Sequence, residues 1–159
     1  MAVNRQLLWA AALMSACLVA GCENLRHWHG DETSDPEYVL KIEIPSSATD
    51  IDKQFDPAIA YDIKFLMPDD QWRSYATKYY SADKLTAKPL AGEEIPPVCL
   101  AREGMALTQW SASGGIPYLN ASDATARRFF WAVPGCRPDQ AYVHWRLIPP
   151  DTAPVSSTG

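Results

Sequence analysis

Positive charge is scarce in this sequence of 159 residues, which has 14 Lys and Arg against 19 Asp and Glu. The formal net charge is -5 at pH 7. Arg5 is the one charged side chain in residues 1–21, so the remainder of the chain is slightly more acidic. An acidic protein repels phosphates, and the composition therefore argues against nucleic-acid binding and against electrostatic attachment to anionic lipid.

Catalytic motifs are also missing. The sequence contains no Gly-x-Ser-x-Gly element, phosphate loop, dinucleotide motif or paired Cys-x-x-Cys, so we predict no cofactor and no enzymatic activity. Histidine is rare, and His144 is the one histidine in the predicted folded region. It lies on the polar side of a predicted strand, between Tyr142 and Arg146. A hydrolytic site would need a serine and an acid beside it, so a small hydrolase that uses His144 is an alternative function.

No apolar run is long enough to span a membrane. The longest, residues 7–19, has 13 residues, whereas a spanning helix needs about 20. A short basic start precedes the run, and Val19-Ala20-Gly21-Cys22 follows it. This order is the layout of a cleaved signal peptide.

The four residues that end at Cys22 resemble the lipobox of bacterial lipoproteins. The resemblance implies cleavage before Cys22 and a diacylglycerol, with fatty acids such as palmitate, on its thiol. More than one acyl chain is needed for stable anchoring. Because Glu23 rather than aspartate follows, the resemblance favours the outer membrane, facing the periplasm, in a Gram-negative cell. In other bacteria it implies the outer face of the cell membrane.

The cysteines fit the same location. Cys17 would leave with the signal peptide and Cys22 would carry the lipid, which leaves Cys99 and Cys136. Two cysteines in an oxidising compartment are expected to form a disulfide.

The chain divides into four predicted regions: a signal peptide over 1–21, a lipidated tether over 22–37, a globular domain over 38–149 and a disordered tail over 150–159. The tether contains His27 and His29 near two carboxylates, which are possible zinc or copper ligands. It shows no periodicity that would fix their geometry, so we predict a solvated linker and no metal site.

Within the domain, alternating apolar residues predict strands over 38–44, 59–65, 127–133 and 141–147, the last two forming a hairpin. A short strand is expected within 99–110, and loops over 46–57, 81–97 and 111–122. Apolar residues at helical spacing follow Pro68, namely Trp72, Tyr75, Ala76 and Tyr79. We therefore predict an α+β fold, a small antiparallel sheet with one amphipathic helix packed on a face and one disulfide.

Aromatic residues are abundant, and Trp110 and Tyr118 flank a predicted Gly-Gly loop, where we expect a binding surface. The segment 111–118, Ser-Ala-Ser-Gly-Gly-Ile-Pro-Tyr, resembles the Ser-Gly loop of periplasmic lysozyme-inhibitor lipoproteins, a family of small β-barrels. Arg127 and Arg128 could pair with carboxylates or phosphates, but they are predicted to be a solvated strand end.

Together these features predict a membrane-anchored cell-envelope lipoprotein that acts as a binding or structural module. Its expected partner, apart from the membrane, is an envelope protein or glycan. The first alternative is an inhibitor or immunity-type lipoprotein that blocks a wall-degrading enzyme or toxin by inserting a loop. The second alternative is a small envelope hydrolase that uses His144.

Overall fold

The computed structural model describes residues 35–56, 59–99, 106–119 and 124–150. The predicted signal peptide, Cys22, the histidines of the tether and nearly all of the predicted tail lie outside these ranges. No helix within them is long and apolar enough to cross a bilayer.

Within the described ranges, six antiparallel strands form one sheet, in the order β1-β2-β6-β5-β4-β3. The strands are β1 (Thr49–Asp56), β2 (Ala60–Pro68), β3 (Thr86–Leu90), β4 (Leu107–Pro117), β5 (Thr125–Arg137) and β6 (Gln140–Ile148). The described residues also form two short α-helices, α1 (Pro36–Leu40) and α2 (Trp72–Ala76). Single 3-10 turns lie at Ala82–Lys84 and Gly92–Glu94.

One side of the sheet, which we call the packed face, carries the main core. Along β6, buried residues alternate with half-exposed ones from Ala141 to Leu147, as expected for a strand with one side against a core. Buried residues alternate in the same way on β2 and β5, so the buried side chains of the three strands form one continuous apolar surface. Its largest fully buried side chains are Trp145, Tyr61, Phe65 and Phe130. Burying a large apolar side chain stabilises a fold by about 1.5–3 kcal/mol.

The prediction of a sheet with one amphipathic helix packed on a face is wrong. Strands dominate the fold, and each helix has five residues. Trp72, Tyr75 and Ala76 do face the core, but helix α2 ends at Ala76. Hydroxyls compete for the backbone here, because Ser74 Oγ donates to the Gln71 carbonyl and Thr77 Oγ1 to the Ser74 carbonyl.

The strand predicted over 38–44 is also wrong, because this segment contains the end of helix α1. Asp35 accepts a hydrogen bond from the Glu37 amide, Pro36 occupies the first turn, and Lys41 ends the helix with a φ of 52°. These are standard signals of helix start and stop. They override the alternation of Leu40 and Ile42, which both become buried on the packed face.

All three predicted long loops contain strands. β1 and β3 lie at the two edges of the sheet, where most side chains are exposed and no hydrophobic alternation marks a strand. The predicted loop over 111–122 contains most of β4. Its glycines permit close approach, since a Cβ on Gly115 would lie 2.9 Å from Thr125 Cγ2. The hairpin of β5 and β6 is confirmed, with Arg137 paired to Gln140 across the turn.

A buried arginine holds helix α1 on the packed face. Arg128 is 7% exposed, and its Nη1 donates to the carbonyls of Leu40 at 2.9 Å and Lys41 at 3.2 Å. Its Nε donates to the Tyr80 hydroxyl, which itself donates to the Arg128 carbonyl. The prediction that Arg128 is a solvated strand end is therefore wrong, since in the β5 alternation it faces the core.

A second, smaller apolar cluster lies on the other side of the sheet, which we call the open face. It combines Leu66, Leu90, Leu107 and Val133 with the two cysteines. Cys99 and Cys136 form the predicted disulfide. The bond fixes the segment 95–99 over one end of the open face, where Ile95 and Val98 pack on the cluster.

Replacing both cysteines (Cys99→Ala with Cys136→Ala) should lower the free energy of unfolding by about 2–4 kcal/mol, measured by urea denaturation. The reason is that a bridge across 37 residues restricts the unfolded chain by roughly that amount. Reduced wild-type protein serves as the control and should show the same loss. Equal stability of oxidised and reduced protein would contradict the structural role of the bond.

Replacing Arg128 by methionine should lower the free energy of unfolding by about 2–4 kcal/mol, because the buried carbonyl of Leu40, the part-buried carbonyl of Lys41 and the Tyr80 hydroxyl lose their partner. The matched control is Arg127→Met, whose side chain is on the exposed side of the same strand. We expect the control to change stability by no more than about 0.5 kcal/mol, as is usual for surface positions. Similar losses for the two variants in urea titrations would argue against a stabilising role of the hydrogen bonds that Arg128 makes.

Candidate binding surface on the open face of the sheet

Beyond the disulfide-linked cluster, the open face carries a compact group of aromatic and charged side chains. We call it the open-face site and define it by Asp62, Phe129, Trp131, His144 and Arg146. The register of the strands brings these residues together, because β6 lies between β2 and β5. Asp62 pairs with Arg146, and Trp131 pairs with His144. Side chains directly opposite each other on neighbouring strands are in contact range.

His144 and Asp62 form the polar centre of the site. Nε2 of His144 lies 2.5 Å from Oδ1 of Asp62, and in the tautomer protonated at Nε2 the imidazole donates a hydrogen bond to this oxygen. Both side chains are largely shielded from solvent. Burial lowers the pKa of His144, whereas the hydrogen bond and charge of Asp62 offset part of this effect. The neutral imidazole is therefore favoured in the folded protein.

Arg146 supplies a cation beside the same carboxylate. Its Nε lies 4.0 Å from Oδ2 of Asp62, is buried, and makes no hydrogen bond within the described ranges. Lys64 is a further cation of this region, and its Nζ lies 3.9 Å from Oδ2 of Asp52. The pKa of Tyr142, at the other side of His144, is raised to about 12 by burial and by the charge of Asp62.

The aromatic part of the site is a row of stacked planar groups. The rings of Phe129 and Trp131 are nearly parallel, with an interplanar angle of 5° and centroids 5.7 Å apart. The His144 ring lies against Trp131 at 4.9 Å, and the Arg127 guanidinium lies 5.3 Å from the Phe129 centroid. Contacts of this kind hold the rings in fixed positions and each contributes about 0.5–1.5 kcal/mol. The result is a rigid amphipathic surface.

This arrangement provides two parts of a hydrolytic triad but not the third. Among the described residues, no serine hydroxyl is hydrogen-bonded to His144. Ser111 and Ser113 belong to β4, and strand β5, which carries Trp131, lies between them and His144. The imidazole Nε2 is already engaged with Asp62, so the geometry favours binding by the surface over nucleophilic chemistry.

The residues selected from the sequence, Trp110 and Tyr118, are on the packed face. The Trp110 ring lies 5.7 Å from that of Trp72, and the Arg73 guanidinium covers it at 4.4 Å. The Tyr118 hydroxyl lies 3.3 Å from that of Tyr61. Both side chains pack against the main core and are partly buried. Their role as a binding surface stays a prediction, and the segment between them is a strand rather than a loop for insertion.

Sequence reasoning missed Asp62, Phe129, Trp131 and Arg146 as site residues. The available signal was that polar residues of β2 and β6 alternate with the apolar ones, which puts Asp62 and His144 on solvent-facing sides. What the sequence does not contain is the adjacency of β2 and β6, which are separated by three intervening strands in the chain. Non-local pairing of this kind has no short-range signature.

Acidification should destabilise the protein through His144. Its folded-state pKa lies below 6.5, so the unfolded chain takes up the proton first as the pH falls. The contribution of the neutral imidazole is fully present above pH 7 and is lost as the pH falls through about 6.5 towards the folded-state pKa. Urea denaturation at several pH values should show this loss in wild-type protein.

The control for this prediction is His144→Gln, which keeps a hydrogen-bond donor for Asp62 without titrating. We expect a smaller fall in its free energy of unfolding over the same pH range. NMR titration of the His144 ring protons gives a direct measurement. A midpoint above 6.5 would reverse the sign of the effect and refute the prediction.

Comparison of this chain with protein-family models, with characterised proteins and with solved structures finds no match. The chemistry of the open-face site therefore has to be derived from its own residues.

Proposed function

We propose that this protein is a lipid-anchored lipoprotein of the bacterial cell envelope, and that it binds an envelope component through its open-face site. The observation that carries the binding function is the unequal covering of the sheet. Helices α1 and α2 and their neighbouring tyrosines cover the packed face. The described elements leave the Phe129–His144 region of the other face half-exposed.

The composition of the open-face site supports a binding role. Tryptophan and arginine are enriched where binding energy is concentrated, because they combine apolar contact with hydrogen bonding. Trp131 and Phe129 are held in position by their own stacking, so little side-chain freedom is lost when a partner binds. The side chain of Arg146 is 39% exposed, so it can contribute hydrogen-bond donors to an acceptor on a partner.

The location is supported by two independent features. The order of basic start, apolar run and Val-Ala-Gly-Cys in residues 1–22 favours lipid attachment at Cys22. The disulfide of Cys99 and Cys136 is consistent with an oxidising compartment. In a Gram-negative cell the domain would be anchored to the outer membrane, facing the periplasm. In other bacteria it would lie on the outer face of the cell membrane.

A binding function of this kind requires no chemical step from His144. The interaction of its Nε2 with Asp62 fixes the imidazole ring beneath Trp131 and keeps a carboxylate buried next to Arg146. In this view the two residues are positioning residues, which set the shape and charge of the surface that the partner meets.

The proposal is tested by cross-linking in living cells. A photo-reactive amino acid at position 131 should become linked to an envelope component, whereas the same group at position 110 should give little product. Both positions are tryptophans on neighbouring strands, but their side chains are on opposite faces. Gel electrophoresis and mass spectrometry of the cross-linked material provide the readout.

The same cells, fed a fatty-acid probe, test the anchor. The wild-type chain should carry the probe and sediment with membranes, and Cys22→Ala should lose both properties. A wild-type chain without the label refutes the lipoprotein assignment. Product from position 110 and none from position 131 would overturn the open face as the binding surface and would favour the packed side.

A further inference from the structure

A groove of about 350 Å³ runs along the open face, next to the open-face site. Phe129 and Trp131 line one side of it, and the 3-10 turn with Asp83 and Lys84 lies on the other. This volume is at the lower end of the range for small-molecule pockets in proteins. We call it the β4 groove, because residues of β4 line it between those two sides.

Hydroxyl groups supply much of the polar lining. Thr86, Ser111 and Ser113 all border the groove. Thr86 Oγ1 lies 3.1 Å from Ser111 Oγ, so the two hydroxyls orient each other. A hydroxyl is both donor and acceptor, and each one keeps capacity for a further bond. The groove therefore presents several weak, adaptable hydrogen-bonding positions rather than one strong charge.

An extended peptide is a poor fit for this groove. At Ser111, strand β4 is paired with Thr86 on one side and with Trp131 on the other. At this position the backbone of β4 is therefore committed to the sheet, and a peptide lying across the face there would find no main-chain partner. Peptide recognition by strand addition depends on such free backbone groups.

A strongly anionic or a purely apolar ligand also fits poorly. Asp83 and Lys84 are adjacent and oppositely charged, so they give the groove no net charge. The pKa of Asp83 is lowered by its hydrogen bond to Ser81, which keeps the carboxylate ionised and available as an acceptor. Polar groups that an apolar ligand left unpaired would cost binding energy.

A sugar ring matches the remaining requirements. One side of a pyranose presents polarised C–H bonds, which can pack on the parts of the Phe129 and Trp131 rings that line the groove. Its edge presents hydroxyls, which can bond to serine, threonine and carboxylate groups. We infer that the β4 groove binds a pyranose of the cell-wall glycan strand, with its C–H side towards Trp131 and Phe129. This inference rests on the proposed function, since the anchor is what brings the domain within reach of the wall.

The test uses the full-length protein in detergent and chitotetraose, a soluble oligomer of N-acetylglucosamine, as the probe. Isothermal titration calorimetry should detect binding to the wild type. Trp131→Ala should weaken it at least tenfold, because the main apolar contact is lost. Ser113→Tyr should weaken it similarly by filling the groove, and this position is exposed, so the fold should accept the larger side chain.

Tyr38→Ala is the matched control, because Tyr38 is an exposed aromatic residue on helix α1. It should bind chitotetraose like the wild type. Circular dichroism and the thermal midpoint establish that each variant is folded. If Trp131→Ala is unfolded, the comparison of Ser113→Tyr with wild type decides the result.

The outcomes separate this inference from the proposed function. Absence of chitotetraose binding to the wild type overturns the glycan inference, while a protein cross-linked at position 131 would still support the open face as a binding surface. Equal affinity for maltotetraose would overturn the assignment to the wall glycan. Wild-type affinity in Ser113→Tyr would overturn the placement of the ligand in the β4 groove.

Discussion

The arrangement of this protein depends on a buried guanidinium that binds carbonyl groups and aromatic rings. No carboxylate forms an ion pair with Arg128 within the described part of the chain. Its charge is instead met by the carbonyls at the end of helix α1, by the Tyr80 hydroxyl and by the rings of Tyr79, Tyr80 and Trp145, 5.2–5.4 Å away. A cation is favoured at a helix C-terminus, where carbonyls lack partners. Five residues are too few for a stable isolated helix, so α1 depends on this tertiary contact.

The bonds from Arg128 to the end of helix α1 also affect the other side of the sheet. By holding α1 on the packed face, alongside α2 and the tyrosines, they commit the short helical elements to one layer. The open face is covered at one end by the segment that the disulfide ties down. The rest is left to side chains that stabilise one another by stacking and ion pairing. The binding surface is thus exposed because the helices lie on the packed face and the segment 95–99 covers only one end of the open face.

Particular residues show which features of the structure can be predicted from the sequence. The disulfide follows from counting cysteines, and the β5–β6 hairpin follows from two alternating runs with a short turn. The alternation along β6 places His144 on the polar side of its strand. It does not identify Asp62 as the hydrogen-bond partner of His144, because Asp62 is 82 residues away in the chain. Arg128 was misassigned because arginine is seldom buried, and only the core packing around it reveals the exception. Gly114 and Gly115 are typical of a loop, whereas both lie inside β4, where the small size of Gly115 allows the close approach of Thr125.

By itself, the sequence determined the covalent and local features: the disulfide, the strongly alternating strands, the acidic charge, and the leader pattern from which the anchor is proposed. The tertiary structure decided which strands are neighbours, which edges remain exposed and which side chains share the open face. The physical reason is the distance along the chain over which each interaction acts. Periodicity and capping act over a few residues, while strand order is set by the burial of apolar area across the whole sheet. The open-face site exists only because β6 pairs with both β2 and β5.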